Sequence, residues 1–411
     1  MALVAILAAT LPPSGDDFSG ELLRCVLCGD HKIADFIRNI ILFVPLGGCL
    51  ALAGVRWWRI GLAGTALSVA IEYAQLFIPG RDSSVGDVLS NTTGAVVGCG
   101  LALMFAHRTQ HRGSLSVLQG LVAAGAGVAV IATTGYLLQP NLPASGYFGQ
   151  WTPSLAHLEW YRGRVLQASL GTIPLPAQRL RESPRVRDAL LRGDPLQVRA
   201  LVGPPVIRLA PLLSIFDEQN EEILLLGPDR DDLVFRYRTR AEAWQLDEPD
   251  LRVRSALRGL TQGDTLSITV RRADNHYCVT VNQEQKCHVG HTAGIGWAML
   301  MYPEEAPPWL KTLLRVGWLT GLFLPAGYWA NGTAGRLLVA LIGGLGLILV
   351  PPAVGLLPTP AGEWLGAACG FVTGTSIACQ QALLHWWRAR GSRAAPVTSP
   401  TSSPRHRAIL P

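Results

Sequence analysis

Charge is scarce in this sequence. Asp, Glu, Lys and Arg make up 16% of its 411 residues, where a soluble protein carries about 25%, and the mean hydropathy is +0.27. That shortage excludes an ordinary water-soluble globule over the whole length. It implies membrane spans averaged with a water-soluble part. Other absences narrow the field. The cysteines make no zinc pattern: Cys49, Cys99, Cys369 and Cys379 lie in apolar runs, as small core residues do. Cys25 and Cys28 form a lone CxxC without the second pair, or the βαβ setting, that metal or redox work needs. No basic residue precedes the apolar stretch Met1–Leu11, so it lacks the flank of a secretory signal. It is also too short to cross a bilayer core, which takes about 20 residues, and is expected to be the remnant of a first span that starts upstream. No internal repeat is visible. The net charge is +6, but the basic residues sit in short clusters between apolar runs, at Arg56/Arg59, Arg108/Arg112 and Arg388/Arg390/Arg393. That is the positive-inside pattern of membrane topology and not a nucleic-acid surface. Neither a metal site nor a cofactor is expected.

What is present is a series of apolar runs near spanning length, at 36–55, 60–79, 85–106 and 115–138, and again at 309–329, 336–355 and 364–387. The basic connector at 55–59, with its tryptophans, belongs on the cytoplasmic side. Alternation then puts 79–87 outside, 106–114 inside and everything from 140 to about 305 outside. Residues 141–305 change character, with shorter apolar runs and arginines alternating with aromatic and β-branched residues. The fold class expected is a polytopic α-helical membrane protein with an inserted all-β extracytoplasmic sandwich. Its parts are a transmembrane domain over 1–140, the sandwich over 141–305, C-terminal transmembrane helices over 306–390, and a disordered cytoplasmic tail over 391–411. In the hairpin HYCVTVNQEQKCHV, a two-residue turn at Asn282-Gln283 pairs Cys278 with Cys287 at a distance a disulfide can span. A four-residue loop would leave the thiols diagonal.

Polar residues interrupt the first three spans after Met1–Leu11. Residues three and four apart share one helix face, so Asp35, Arg38 and Asn39 form one stripe, Ser68, Glu72 and Gln75 a second, and Asp87, Asn91, Gly94 and Gly98 a third. At about 1.5 Å rise per residue the polar members fall in one leaflet, with Arg81 in the loop above them. Ionisable groups inside a membrane are costly and point to function. The bland alternative is a set of paired charges locking three helices, with Pro45, Gly47, Gly94 and Gly98 at the helix contacts.

The run DFIRNIILFVPLGG, followed by IEYAQLFIPGRDSSVGDVLSNTTGAVVG, closely resembles the VanZ-like membrane family. The family's N-x-x-x-F-x-P-x-G element reads Asn39, Phe43, Pro45 and Gly47. Its E-x-x-Q-x-x-x-x-x-R element reads Glu72, Gln75 and Arg81, and its D-x-x-x-N-x-x-G element reads Asp87, Asn91 and Gly94. The resemblance covers roughly residues 1–140 and implies cell-envelope biology of the glycopeptide (teicoplanin) resistance kind. This chain departs from simple members in its large outer domain and three further helices. The outer segment is similar to concanavalin-like (laminin-G-like) jelly rolls, which implies carbohydrate binding, with Asp217, Asn220 and Trp244 as contacts to sugar or calcium, or as plain turn and core residues. The expected function is binding of an amphiphilic lipid or envelope glycan at the outer leaflet of a bacterial plasma membrane. Arg38, Asn39, Glu72, Gln75, Arg81, Asp87 and Asn91 would hold the head, and the sandwich would engage a polysaccharide or a partner protein. The alternatives are an enzyme on a lipid-linked substrate with Glu72 or Asp87 as base, and a plain anchor for the sandwich. No nucleophile–base pair and no histidine lies on the stripes, which disfavours catalysis.

Overall fold

The computed structural model describes residues 2–11, 32–78, 83–107, 115–155, 158–301 and 306–393. Arg81, the Cys25/Cys28 pair and the tail from 394 lie outside them. The first helices are α1 (Ala2–Thr10), α2 (Lys32–Leu52), α3 (Trp57–Gln75), α4 (Val85–His107) and α5 (Leu115–Leu137). Within the later part stand the short α6 (Ser183–Arg192) and α7 (Arg240–Ala243), followed by α8 (Pro308–Trp329), α9 (Gly332–Ala353) and α10 (Ala361–Arg393). Four of them, α2, α4, α5 and α9, are long and apolar enough to cross a membrane. Helices α3, α8 and α10 have the length, but polar residues dilute them: Arg59, Ser68, Glu72 and Gln75 in α3, Lys311 and Arg315 in α8, and Gln380 and Gln381 in α10. Residues 391–393, expected in the disordered tail, continue α10.

Between α5 and α8 lie twelve strands in two antiparallel six-stranded sheets, ordered β4-β1-β6-β7-β8-β9 and β12-β11-β10-β5-β2-β3. The first holds β1 (Tyr147–Trp151), β4 (Arg179–Leu180), β6 (Leu213–Phe216), β7 (Glu222–Asp229), β8 (Asp232–Tyr237) and β9 (Leu251–Val253). The second holds β2 (Arg164–Leu170), β3 (Ile173–Pro174), β5 (Leu196–Leu201), β10 (Thr265–Ala273), β11 (His276–Val281) and β12 (Glu284–Val289). Alternation shows in β5, where Leu196, Val198 and Ala200 face the core and Gln197 and Arg199 face out. Leu170, Leu196, Ile223, Phe235 and Ile268 meet between the sheets. Strand β7 is buried on both faces because Leu158 and Leu209 cover Leu225 and Val234 from outside. The hairpin pairs Val281 with Glu284, Thr280 with Gln285 and Val279 with Lys286, then shifts register toward Tyr277–Val289. Cys278 and Cys287 are disulfide-bonded.

The sandwich is seated on the helices. Ala34 of α2 donates its N–H to Gln245 O beyond α7 (3.4 Å), and a buried 3₁₀ turn, Ala293–Met299, packs among α2, α5, α8 and α10 through Ile295, Trp297, Leu319 and Ala367.

Two helix pairs cross in the same way. On α4, a Cβ at Gly94 or Gly98 would strike the carbonyl of Ile40 or Val44 on α2, and one at Gly47 would strike that of Ala95. On α10, a Cβ at Gly370 or Gly374 would strike Thr320 or Leu324 of α8, and one at Gly327 would strike Phe371. The spacings agree residue for residue. Phe43-Val44-Pro45-Leu46-Gly47 recurs as Phe323-Leu324-Pro325-Ala326-Gly327, with Phe43 and Phe323 both buried. The chain therefore carries this helix pair twice, contrary to the expectation of no internal repeat. The polar positions explain why the second copy is hard to see: Leu319 stands where Asn39 does, Ala367 where Asn91 does, and Glu363 where Asp87 does. Pro45, expected among the packing residues, is exposed instead. Its effect is local, since a proline inside a helix forgoes one backbone hydrogen bond.

Candidate functional site: a buried polar cluster in the first helices

On α3 the spacing of Ser68, Glu72 and Gln75 turns all three inward, where they are 0%, 3% and 6% exposed. The segment entering α4 supplies their partners. Ser84 donates its backbone N–H to Glu72 Oε2 at 2.9 Å, and its hydroxyl accepts from Gly86 N at 3.0 Å, as a serine does just ahead of a helix. Asp87 follows in the first turn of α4, where a carboxylate suits the helix dipole. It accepts from Asn39 Nδ2 of α2 at 2.8 Å. One turn further, Asn91 Nδ2 donates to Ser68 Oγ at 2.9 Å, and Ser68 donates to the Asp87 carbonyl at 3.4 Å. From α1, the Thr10 carbonyl accepts from Gln75 Nε2 at 2.9 Å. Four helices thus converge on one cluster.

Of the residues expected here, Asn39, Glu72, Gln75, Asp87 and Asn91 come together. Arg38 pairs with Asp35 on its own helix, with its side chain 42% exposed. The cluster is also more enclosed than an outward-opening site, with Glu72, Gln75 and Asn91 buried and Asn39 and Asp87 half-buried. It lies toward the end of α2 that meets the sandwich. Ser84 and Thr10 were not foreseen. Ser84 had a signal in the Ser-Ser pair just ahead of α4, whereas Thr10 contributes only its backbone carbonyl and had none.

Two acceptors remain over. Gln75 Oε1 and Asn91 Oδ1 are buried with no hydrogen-bond partner, although such atoms ordinarily find one.

A second buried group, not foreseen either, lies under the sandwich. Glu363 of α10 accepts from Thr292 Oγ1 and from Gly294 N (2.9 Å). Beside it His291 is buried, and burial, with Arg315 nearby, pushes its imidazole down to about 3, so it stays neutral. Glu363 occupies the position of Asp87 but is spent on holding the sandwich. Asp217 accepts from the Gln219 and Glu221 amides at 2.9 Å each and pairs with Arg238 at 3.0 Å, as a turn residue would. Among the described residues no cluster of metal-ligating side chains is present.

Residues 11–106 match the VanZ/LLP1 family. The match covers α2, α3 and α4 and stops short of α5, the sandwich and the C-terminal helices. No curated protein and no solved structure matches the chain. Fold and match together define a helical membrane protein with a VanZ-like N-terminal part and a two-sheet β-sandwich.

Proposed function

We propose that the α1–α4 cluster binds the polar head of an amphiphilic lipid or lipid-linked envelope glycan in the outer leaflet of a bacterial plasma membrane. The observation that carries this reading is the second helix pair. Helices α8 and α10 cross at the same glycines as α2 and α4, with Leu319 and Ala367 in place of Asn39 and Asn91. Packing of this kind therefore does not need the polar cluster, and costly buried polar groups that packing does not need are functional candidates. The arginine clusters between the spans support an external sandwich, as does the disulfide, which persists outside the cytoplasm. The sandwich would engage glycan or a partner protein through the cleft at its far end, lined by Tyr161, Pro204, Pro205, Arg230, Leu257 and Leu260. The VanZ-like part supports a role in envelope chemistry of the glycopeptide-resistance kind.

The test is complementation of a deletion strain by Glu72→Gln and by Asn91→Ala. Both variants are expected to insert normally and to fail to restore the wild-type phenotype. Full complementation by both would reduce the cluster to a structural role.

A further inference from the structure

Resting on that reading, we infer that the head group held by the cluster is a hydrogen-bond donor carrying a protonated amine, not a phosphate. The amide donors in the cluster are already used. Asn39 Nδ2 is given to Asp87, Asn91 Nδ2 to Ser68, Gln75 Nε2 to the Thr10 carbonyl, and the Ser84 amide to Glu72. What remains is acceptor: Gln75 Oε1 and Asn91 Oδ1 are buried and unpartnered, Gln75 one turn from Glu72 on α3 and Asn91 bonded to Ser68, one turn the other way. Among the described residues no Lys, Arg or His faces that carboxylate; its neighbours are Ser83, Ser84 and Asp87.

A phosphate brings only acceptors, and would meet a carboxylate and two amide oxygens with no amide donor left for it among the described residues. An ammonium brings three donors and a positive charge. Set against a carboxylate, that gives a charge-assisted bond roughly twice as strong as a neutral one.

A bare metal ion fits less well. Calcium needs 6–8 oxygens converging at about 2.3–2.6 Å. These acceptors are instead strung along α3, from the level of Ser68, to which Asn91 is bonded, to Gln75, a span of about 10 Å. Such a row suits an extended head with an amine and further N–H or O–H donors, such as an aminated lipid head or a lipid-linked amino sugar.

Three amphiphiles with one chain and different heads test this: dodecylammonium, dodecyltrimethylammonium and dodecyl phosphate, each titrated onto the full chain in nanodiscs. Glu72→Gln and Asn91→Ala serve as variants, the latter matching the alanine that the second helix pair already carries. Dodecylammonium is expected to bind at least tenfold more tightly than either of the others, and each variant should lose at least tenfold. Equal binding of the trimethyl compound, which keeps the charge but has no donor, would overturn the inference. So would preferential binding of dodecyl phosphate; if that preference depended on Glu72, the amphiphile site would stand and only its head-group class would fall. Binding of all three that is indifferent to both variants would remove the site itself.

Discussion

At the scale of single residues, position in the helix separates polar groups that look alike in the sequence. Arg38 and Asn39 are neighbours, yet the roughly 100° step between consecutive helical residues sends Asn39 to Asp87 and leaves Arg38 partly exposed beside Asp35. The stripe of Ser68, Glu72 and Gln75 was legible because it needs only helical periodicity. The Ser84 amide bonded to Glu72 was not, because a backbone donor leaves no side-chain signature. His291 was invisible for a related reason: nothing in a lone histidine says what will cover it. Burial holds it neutral down to about pH 3, whereas in the unfolded chain it takes up a proton below about 6.5. Its share of the stability is therefore fully present above pH 6.5 and is lost as the pH falls toward 3, at about 1.4 kcal/mol per pH unit. The melting temperature of the wild type in detergent should fall more steeply between pH 6.5 and 4 than that of His291→Leu. Parallel slopes would show that His291 is not the group that titrates.

At the scale of elements, glycine spacing decides how the helices meet. Gly98 and Gly374 each lie against a carbonyl of the partner helix, so a larger side chain must push the pair apart, at a cost of about 1–3 kcal/mol or more. Gly98→Leu and Gly374→Leu should both lower the melting temperature by several degrees. Gly100→Leu should leave it nearly unchanged, since a Cβ there meets nothing. Equal effects at all three positions would contradict the close crossings. The hairpin was legible because a two-residue turn fixes register. Its shift between Tyr277 and Val279 was not, since an irregularity in one strand depends on neighbours the hairpin sequence does not contain. Replacing Cys278 and Cys287 together by serine frees a short loop and should cost about 2–3 kcal/mol, read by denaturant unfolding. No measurable change would mean that the bond does not form in the cell.

At the scale of the whole molecule, the apolar runs and the β-rich insert could be read directly, because composition and periodicity report them. The repeated helix pair could not. What recurs is a packing surface of glycines and one Phe-x-Pro-x-Gly run, while the polar residues that would have flagged a second copy are replaced by Leu319 and Ala367. The outcome is one polar cluster in the first unit and, in the second, a platform whose Glu363 ties down the sandwich at Thr292 and Gly294. Cysteine-accessibility labelling of cells should find residues in 141–305 reachable from outside and Arg108→Cys only from inside; the reverse pattern would invert the proposed topology. Native mass spectrometry of the detergent-extracted protein, wild type against the combined Asn39→Leu, Glu72→Gln and Asn91→Ala variant, tests the central claim most directly. The wild type should retain a co-purifying lipid or lipid-linked glycan, and the variant should fly as a folded protein without it. A wild type that carries no such species, or a variant that keeps it undiminished, would contradict the assignment of the cluster as a binding site.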